Sequence, residues 1–278
     1  MPEPEAVEVL GVRFHNLDRA QAARAVVALL GSGEKRYVVK PYSEFMPRAR
    51  RDDRVRGVLN GAGLCLPDGA GILWAAHYLS LPGGRLRALL QLPLSLLSLV
   101  FNQRAVRRPL REHMAGVDFT WQMLRELAGV GASVFLLGGR EDEVQGAREA
   151  IARRFPQLRI AGAHPGHFRT EGRANEEVIA AVNEVSPDVL LVAMGFPRQE
   201  LWMAKHLPRL NVKVAVAEGG SFTYMAGLVP RAPRWMRDAG LEWLFRLLRQ
   251  PWRLRRQAAG LPLFVWLVLK ARLSSSRP

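Results

Sequence analysis

A carboxylate set between a proline and a glycine, Asp68 in Leu66–Pro67–Asp68–Gly69–Ala70–Gly71, is the residue of this chain best suited to acid/base work. Held by such a turn at a strand end, it stands in a crevice rather than in the core, where it can accept a proton from a sugar hydroxyl. The plain alternative is that it caps the following helix. Three more glycine turns follow apolar runs: Leu137–Gly138–Gly139–Arg140, Met194–Gly195–Phe196–Pro197–Arg198–Gln199–Glu200 and Glu218–Gly219–Gly220–Ser221. Glycine lets backbone N–H groups at a helix N-terminus approach a phosphate with no Cβ in the way, and Pro197 fits a first helical turn. Each turn alone reads as ordinary turn chemistry; four at corresponding places point to one ligand crevice. No G-x-G-x-x-G opens the first βα unit and no G-x-x-x-x-G-K-[ST] occurs, which disfavours a dinucleotide site and a P-loop. His77, His113, His164, His167 and His206 show no metal-ligand spacing and read as satisfied or exposed residues. His164 and His167 bracket Pro165–Gly166 after a strand, which leaves a donor contact open. With no Asp-x-Asp pair and no clustered carboxylates read near the glycine turns, the expectation is no metal and no cofactor. A bound phosphate is then met by N–H groups, Lys40 or arginines.

The elements that must position these residues alternate. Val7 to Phe14 reads as a strand or edge hairpin, with Asp18 as N-cap of a helix over Ala20 to Leu30. Strands are expected at Arg36 to Val39, Leu64 to Leu66, Ser133 to Leu137, Arg159 to Ala163, Asp188 to Met194 and Val212 to Ala217. Helices are expected at Glu44 to Leu59, Ala70 to Leu79, 142–155, 174–185 and 198–207, with another capped by Asp118 and running to Leu127. Strands alternating with helices of this length predict an α/β fold: a Rossmann-like, mostly parallel sheet with helices on both faces. The ligand crevice of such a sheet lies beyond the carboxyl ends of its strands, where the glycine turns fall.

Composition agrees with a globular protein. The 278 residues are 49% hydrophobic and 23% charged, which excludes disorder and a polytopic membrane protein. A lone cysteine, Cys65, excludes a disulfide framework or a Cys-based zinc site and suits a cytosolic compartment; Met1 to Leu10 does not read as a secretory signal. The net charge of +15 is concentrated: residues 81–112 hold six Lys/Arg against one Asp/Glu, and residues 231–278 hold eleven against two. Both segments also carry apolar runs, Leu86 to Phe101 and Leu261 to Leu269, each too short to span a bilayer. The first is interrupted by Pro93, so it reads as an interfacial or re-entrant helix, or else as one packed in the core or a dimer interface. Between Leu241 and Arg256, Trp243, Phe245 and Trp252 interleave with Arg246, Arg249, Arg253, Arg255 and Arg256, a pattern suited to a headgroup layer. The expected organisation is a catalytic domain over 1–230, interrupted by an insertion at 82–111, and a basic, aromatic C-terminal appendage over 231–278. Basic charge paired with apolar runs favours an anionic membrane surface over nucleic acid as partner.

These residues resemble the WecG/TagA/CpsF glycosyltransferases. The resemblance rests on Leu66 to Gly71, Phe135–Leu–Leu–Gly–Gly139, Gly195–Phe–Pro–Arg–Gln–Glu200, Gly219–Gly–Ser–Phe222, Ala226–Gly227 with Arg231–Ala–Pro233, and Gly240 to Arg246 with Gln250 to Arg253, in family order over roughly 7–80 and 112–258. It implies transfer of an N-acetylmannosamine-type or related hexose from a UDP-sugar to an undecaprenyl-diphosphate-linked acceptor, with inversion and without metal, in surface polysaccharide synthesis. It also implies a cytoplasmic enzyme peripheral on the inner face of the membrane. Asp68 then looks like the base and Gln199 like the pocket glutamine; Lys40, Gly138, Gly139, Gly195, Glu200, Gly219, Gly220 and Ser221 fall to the donor, and Arg246, Arg253 and Arg256 to the acceptor diphosphate. For these arginines the competing reading is a solvated or lipid-facing helix side. The chain departs from the family pattern in three places. Lys40 and Tyr42 stand where relatives carry Thr and Asn. The family's Glu-Arg-Val-x-Gly appears as Glu112–His113–Met114–Ala115–Gly116. The 82–111 insertion displaces that motif. Lys40 is expected to offer a cation to the departing UDP. A non-catalytic membrane-associated partner on the same fold and a basic nucleic-acid-binding protein are the alternatives; a homo-oligomer is left open.

Overall fold

The computed structural model describes residues 4–102, 104–233, 236, 245 and 253–275, without the side chains of residues 100, 253–259 and 275. Strands β1 (Ala6–Val9) and β2 (Val12–His15) form the expected hairpin. Its turn places Leu10 and Gly11 at φ +51° and +86°, the two positive values that a tight hairpin turn of matching twist requires. Helix α1 (Arg19–Leu30) follows, capped by Asp18, whose side chain accepts from the Gln21 N–H while the Gln21 side chain accepts from the Asp18 N–H.

Six parallel strands form the main sheet: β3 (Arg36–Val39), β4 (Leu64–Cys65), β5 (Ser133–Gly138), β6 (Arg159–His164), β7 (Val189–Ala193) and β8 (Val214–Ala217). Their order is β4-β3-β8-β7-β5-β6. The chain lays down β3 and β4, crosses to β5 and β6, and then fills the gap with β7 and β8, so every strand ends at the same edge. Alternate side chains feed two cores. Val189 and Leu191 pack with α1, α6 (Gly116–Gly129), α7 (Glu141–Arg154) and α10 (Ser221–Met225). Leu190 and Val192 pack on the other face with α3 (Asp53–Asn60), α4 (Ala70–Ser80), α8 (Arg173–Val185), α9 (Arg198–His206) and α11 (Arg253–Ser275). Burial on both faces explains why these strands read as unbroken apolar runs.

Four expectations need correction. The single helix over Glu44 to Leu59 is a 3₁₀ turn (Ser43–Phe45), α2 (Met46–Arg51) and α3. Asp52 breaks it by accepting the Val55 N–H and capping α3, a short side chain competing with the helix ladder. Asp118 is not the N-cap: α6 begins two residues earlier, and the Asp118 carboxylate takes both terminal nitrogens of Arg231 at 2.5 and 3.0 Å. Pro197 is the N-cap of α9 rather than its first residue. The C-terminal helix is more than an appendage, because Phe264, Val268 and Leu269 join the core against α4. Helix α5 (Arg85–Phe101) runs through Pro93 and packs against both α4 and α11. Among the described residues no helix is long and apolar enough to cross a membrane.

Candidate active site

Asp68 is held at the carboxyl edge by backbone on both sides. Its N–H donates to Pro41 O at 3.1 Å, the Leu66 N–H donates to Val39 O at 2.9 Å, and the Met114 N–H donates to Pro67 O at 2.7 Å. Gly69, at φ +81°, turns the chain into α4 and is itself the N-cap, without a side-chain cap bond, so Asp68 does not serve as the cap. The contact from Met114 folds the Glu112 to Gly116 segment back beside Asp68 although the insertion separates them in sequence. A Cβ placed on Gly116 would lie 3.9 Å from Asp68 Oδ2 and 3.6 Å from Ser221 Oγ, so these three residues share one wall of the crevice. Glu112 anchors the segment: its carboxylate accepts the Arg19 N–H and one guanidinium nitrogen, both at 2.9 Å.

Gln199 is a fastener between two loops. Its Oε1 accepts from the Gly195 N–H after β7 and the Gly219 N–H after β8, both at 3.1 Å, and its Nε2 donates to Glu200 Oε1 at 2.8 Å. Both side chains are buried, and Glu200 Oε2 has no hydrogen-bond partner among the described residues. Burial pushes the Glu200 carboxyl up to about 7, against the opposing pull of the Gln199 amide. Glu200 therefore does not face a donor from the crevice; it buttresses Gln199.

Lys40 does not present a free cation. The β3–β8 register, Val38 beside Val216, carries Lys40 to Glu218, and Lys40 Nζ meets Glu218 Oε2 at 2.9 Å in a buried pair. Thr120 Oγ1 donates to the same oxygen at 2.5 Å, and the ammonium lies 5.2 Å from the Phe119 ring centre. The lysine thus neutralises a carboxylate under the Gly219–Gly220 turn, and its charge is already matched by Glu218. Glu218 and Thr120 were not singled out from sequence: the pairing spans 178 positions and only strand register reveals it.

The glycine turns divide into two kinds. Among the described residues, nothing lies within 4 Å of where a Cβ on Gly69, Gly195, Gly219 or Gly220 would stand, so bare backbone fronts open space. At Gly220, φ is −91°, which any residue adopts. Gly138 and Gly139 are instead packed. A Cβ on Gly138 would meet Ala193 O at 2.3 Å, the Gly139 N–H donates to Ala193 O, and the Gly166 N–H donates to Gly139 O. Glu141, Asp142 and Glu143 also crowd the first turn of α7, a carboxylate cluster the sequence reading passed over. That turn is acidic, with the Arg140 guanidinium paired to Asp142 and Glu143. Ser221 Oγ donates to Glu218 O at 2.8 Å and stays beside Gly220.

Near the same edge Phe45 stacks on Phe196 at 3.5 Å between ring centres, and Tyr42 lies tilted against Phe45 at 4.2 Å. His164 Nδ1 lies 2.7 Å from Pro165 O, and His167 is exposed. Of the acceptor arginines, Arg246 and the side chains of Arg253 and Arg256 lie outside the described residues, as do Trp243, Arg249, Trp252 and the side chain of Arg255.

A doubly wound parallel sheet with a carboxylate and uncovered glycine backbone at its carboxyl edge is an architecture for group transfer between two substrates meeting in the crevice. The sequence model of the glycosyl transferase WecG/TagA/CpsF family matches residues 7–100 and 97–278; the chain belongs to that family and is a glycosyltransferase. It is similar to the N-acetylglucosaminyldiphosphoundecaprenol N-acetyl-beta-D-mannosaminyltransferase of Bacillus spizizenii, 28% identical over 87% of this chain and 82% of that protein. The enzyme of the same name from Staphylococcus aureus is 26% identical over 96% of this chain and 93% of its own.

Proposed function

We propose that this enzyme transfers an N-acetylmannosamine-type hexose from a UDP-sugar to N-acetylglucosaminyl-diphosphoundecaprenol, with inversion, in cell-surface polysaccharide synthesis. It works at the inner face of the cytoplasmic membrane as a peripheral protein. The acceptor follows from the names its relatives carry. The observation that carries the mechanism is Asp68, backbone-held beside Gly116 and Ser221 at the open edge of the sheet. Its carboxylate takes the proton of the attacking acceptor hydroxyl while the sugar's anomeric carbon breaks from the UDP oxygen on the opposite face, one displacement giving inversion. The donor lies over Gly195, Gly219 and Gly220, whose missing side chains leave it room, while Gln199 keeps the two loops at a fixed separation. The acidic first turn of α7 suits the neutral donors of the nucleoside better than its phosphates. Arg246, Arg253 and Arg256 supply permanent charge for the acceptor diphosphate. The reaction needs no metal.

UDP release dependent on the lipid acceptor tests this reading. Asp68→Asn is expected to lower kcat by about 10²–10⁴-fold with donor binding kept. A folded Asp68→Asn enzyme that keeps more than roughly a tenth of wild-type activity overturns the assignment. Activity abolished by EDTA and restored by Mg²⁺ or Mn²⁺ overturns the metal-free mechanism.

A further inference from the structure

Helix α5 has two unlike faces. On one, Ala88 and Ser95 are buried and Leu92, Leu96 and Leu99 pack on the core. That face is keyed to α4 by Trp74 Nε1 donating to Ser95 Oγ at 3.0 Å and by the Tyr78 hydroxyl donating to Ala88 O at 2.8 Å. The other face is a stripe at helical spacing, Leu86, Leu90, Leu94, Leu97 and Phe101, exposed by 73, 64, 68, 52 and 81%. Over 17 residues it runs roughly 25 Å. An apolar stripe of this length on the surface of a folded protein calls for a partner.

The charges around it identify that partner. Residues 81–111 contain Arg85, Arg87, Arg104, Arg107, Arg108 and Arg111 and no Asp or Glu, and all six arginines are exposed. A second copy of the chain on the same stripe would bring these cations together with no acid from the segment between them. A phospholipid surface offers acyl chains to the leucines and phosphates to the arginines at the same time. We propose that α5 is an interfacial anchor that seats this enzyme on an anionic bilayer, the stripe at the acyl boundary and the arginines among the headgroups. The position of α5 relative to the reaction rests on the transferase reading above. Because Ala88 lies by Tyr78 and Ser95 by Trp74, α5 runs back along α4, and its Phe101 end returns toward the end of α4 that adjoins Asp68. Helix α11 extends the same layer: Arg272 donates to Tyr78 O and Gln91 Oε1, and Trp266 is exposed. A lipid-borne acceptor would then reach Asp68 without leaving the membrane surface.

Flotation of the full chain with vesicles of phosphatidylcholine, with and without phosphatidylglycerol and free of polyprenyl lipid, tests the anchor apart from catalysis. The wild type is expected to float with the anionic vesicles, and Leu90→Glu/Leu94→Glu/Leu97→Glu to partition about tenfold more weakly or worse. Turnover of a water-soluble acceptor analogue is expected to be equal in the two proteins. Cys65, the lone cysteine, is buried, so Leu94→Cys carries a single environment-sensitive dye without disturbing the stripe by charge. Its emission is expected to shift blue on anionic vesicles. Flotation unchanged by the triple substitution, a dye that reports water throughout, or a wild-type dimer that the substitution dissociates while flotation persists each overturn the proposal. Absent turnover of the analogue by the wild type would instead count against the transferase reading, and flotation would still decide the anchor.

Discussion

Lys40 shows how a single position changes meaning once its neighbour is known. In the chain it follows an apolar strand and reads as a cation for an anionic ligand; in the fold it is sealed against Glu218. Removing one member of such a pair leaves the other charged and buried, so Lys40→Met should destabilise by about 3–5 kcal/mol in chemical denaturation. Adding Glu218→Gln should recover much of that loss; no recovery would mean the pair is not the source of the effect. Glu200 makes a pH prediction. Its folded value is raised to about 7 from the ordinary 4.5, so the stability it contributes is full below about pH 4.5 and is lost as pH rises through 7. The loss is on the order of 3 kcal/mol, and the stability of Glu200→Gln should be correspondingly flatter between those two pH values. Parallel curves for the two proteins would refute the assignment.

At the level of elements, the junction of β5 and β7 depends on Gly138. Its φ of +138° and the approach of Ala193 O leave no place for a side chain. Gly138→Ala should destabilise by more than about 3 kcal/mol, whereas Gly220→Ala, with open space and an ordinary φ, should leave the melting temperature unchanged. If the proposed donor site is right, the same Gly220→Ala enzyme should bind a UDP-sugar more weakly, measured by calorimetry, because its Cβ intrudes on that site. Equal stability losses at both glycines would erase the distinction between packed and ligand-facing turns.

Across the whole molecule, the C-terminal helix holds the α4 layer together. Phe264 is buried against Trp74 at 6.1 Å between ring centres, and Arg272 bonds the last carbonyls of α4 while lying over the Tyr78 ring. Phe264→Ala should cost about 3–5 kcal/mol of global stability. A cost below about 1 kcal/mol would mean that α11 docks loosely and that the catalytic fold is complete without it.

The alternation of strands and helices, the hairpin, the Asp18 cap and the four glycine turns were legible in the sequence because each depends on local chemistry: periodicity, turn residues and capping side chains. The place of Asp68 beyond a strand end was legible for the same reason, since a proline and a glycine announce such a turn. Tertiary structure alone decided what these turns do. Strand order placed Glu218 on Lys40 and Gly195 beside Gly219 under one glutamine, and the return of Gly116 to Asp68 across the insertion came from a hydrogen bond between distant backbones. The split faces of α5 belong to that second kind too. Its leucines look alike in the chain, and only packing against α4 determines which of them remain exposed.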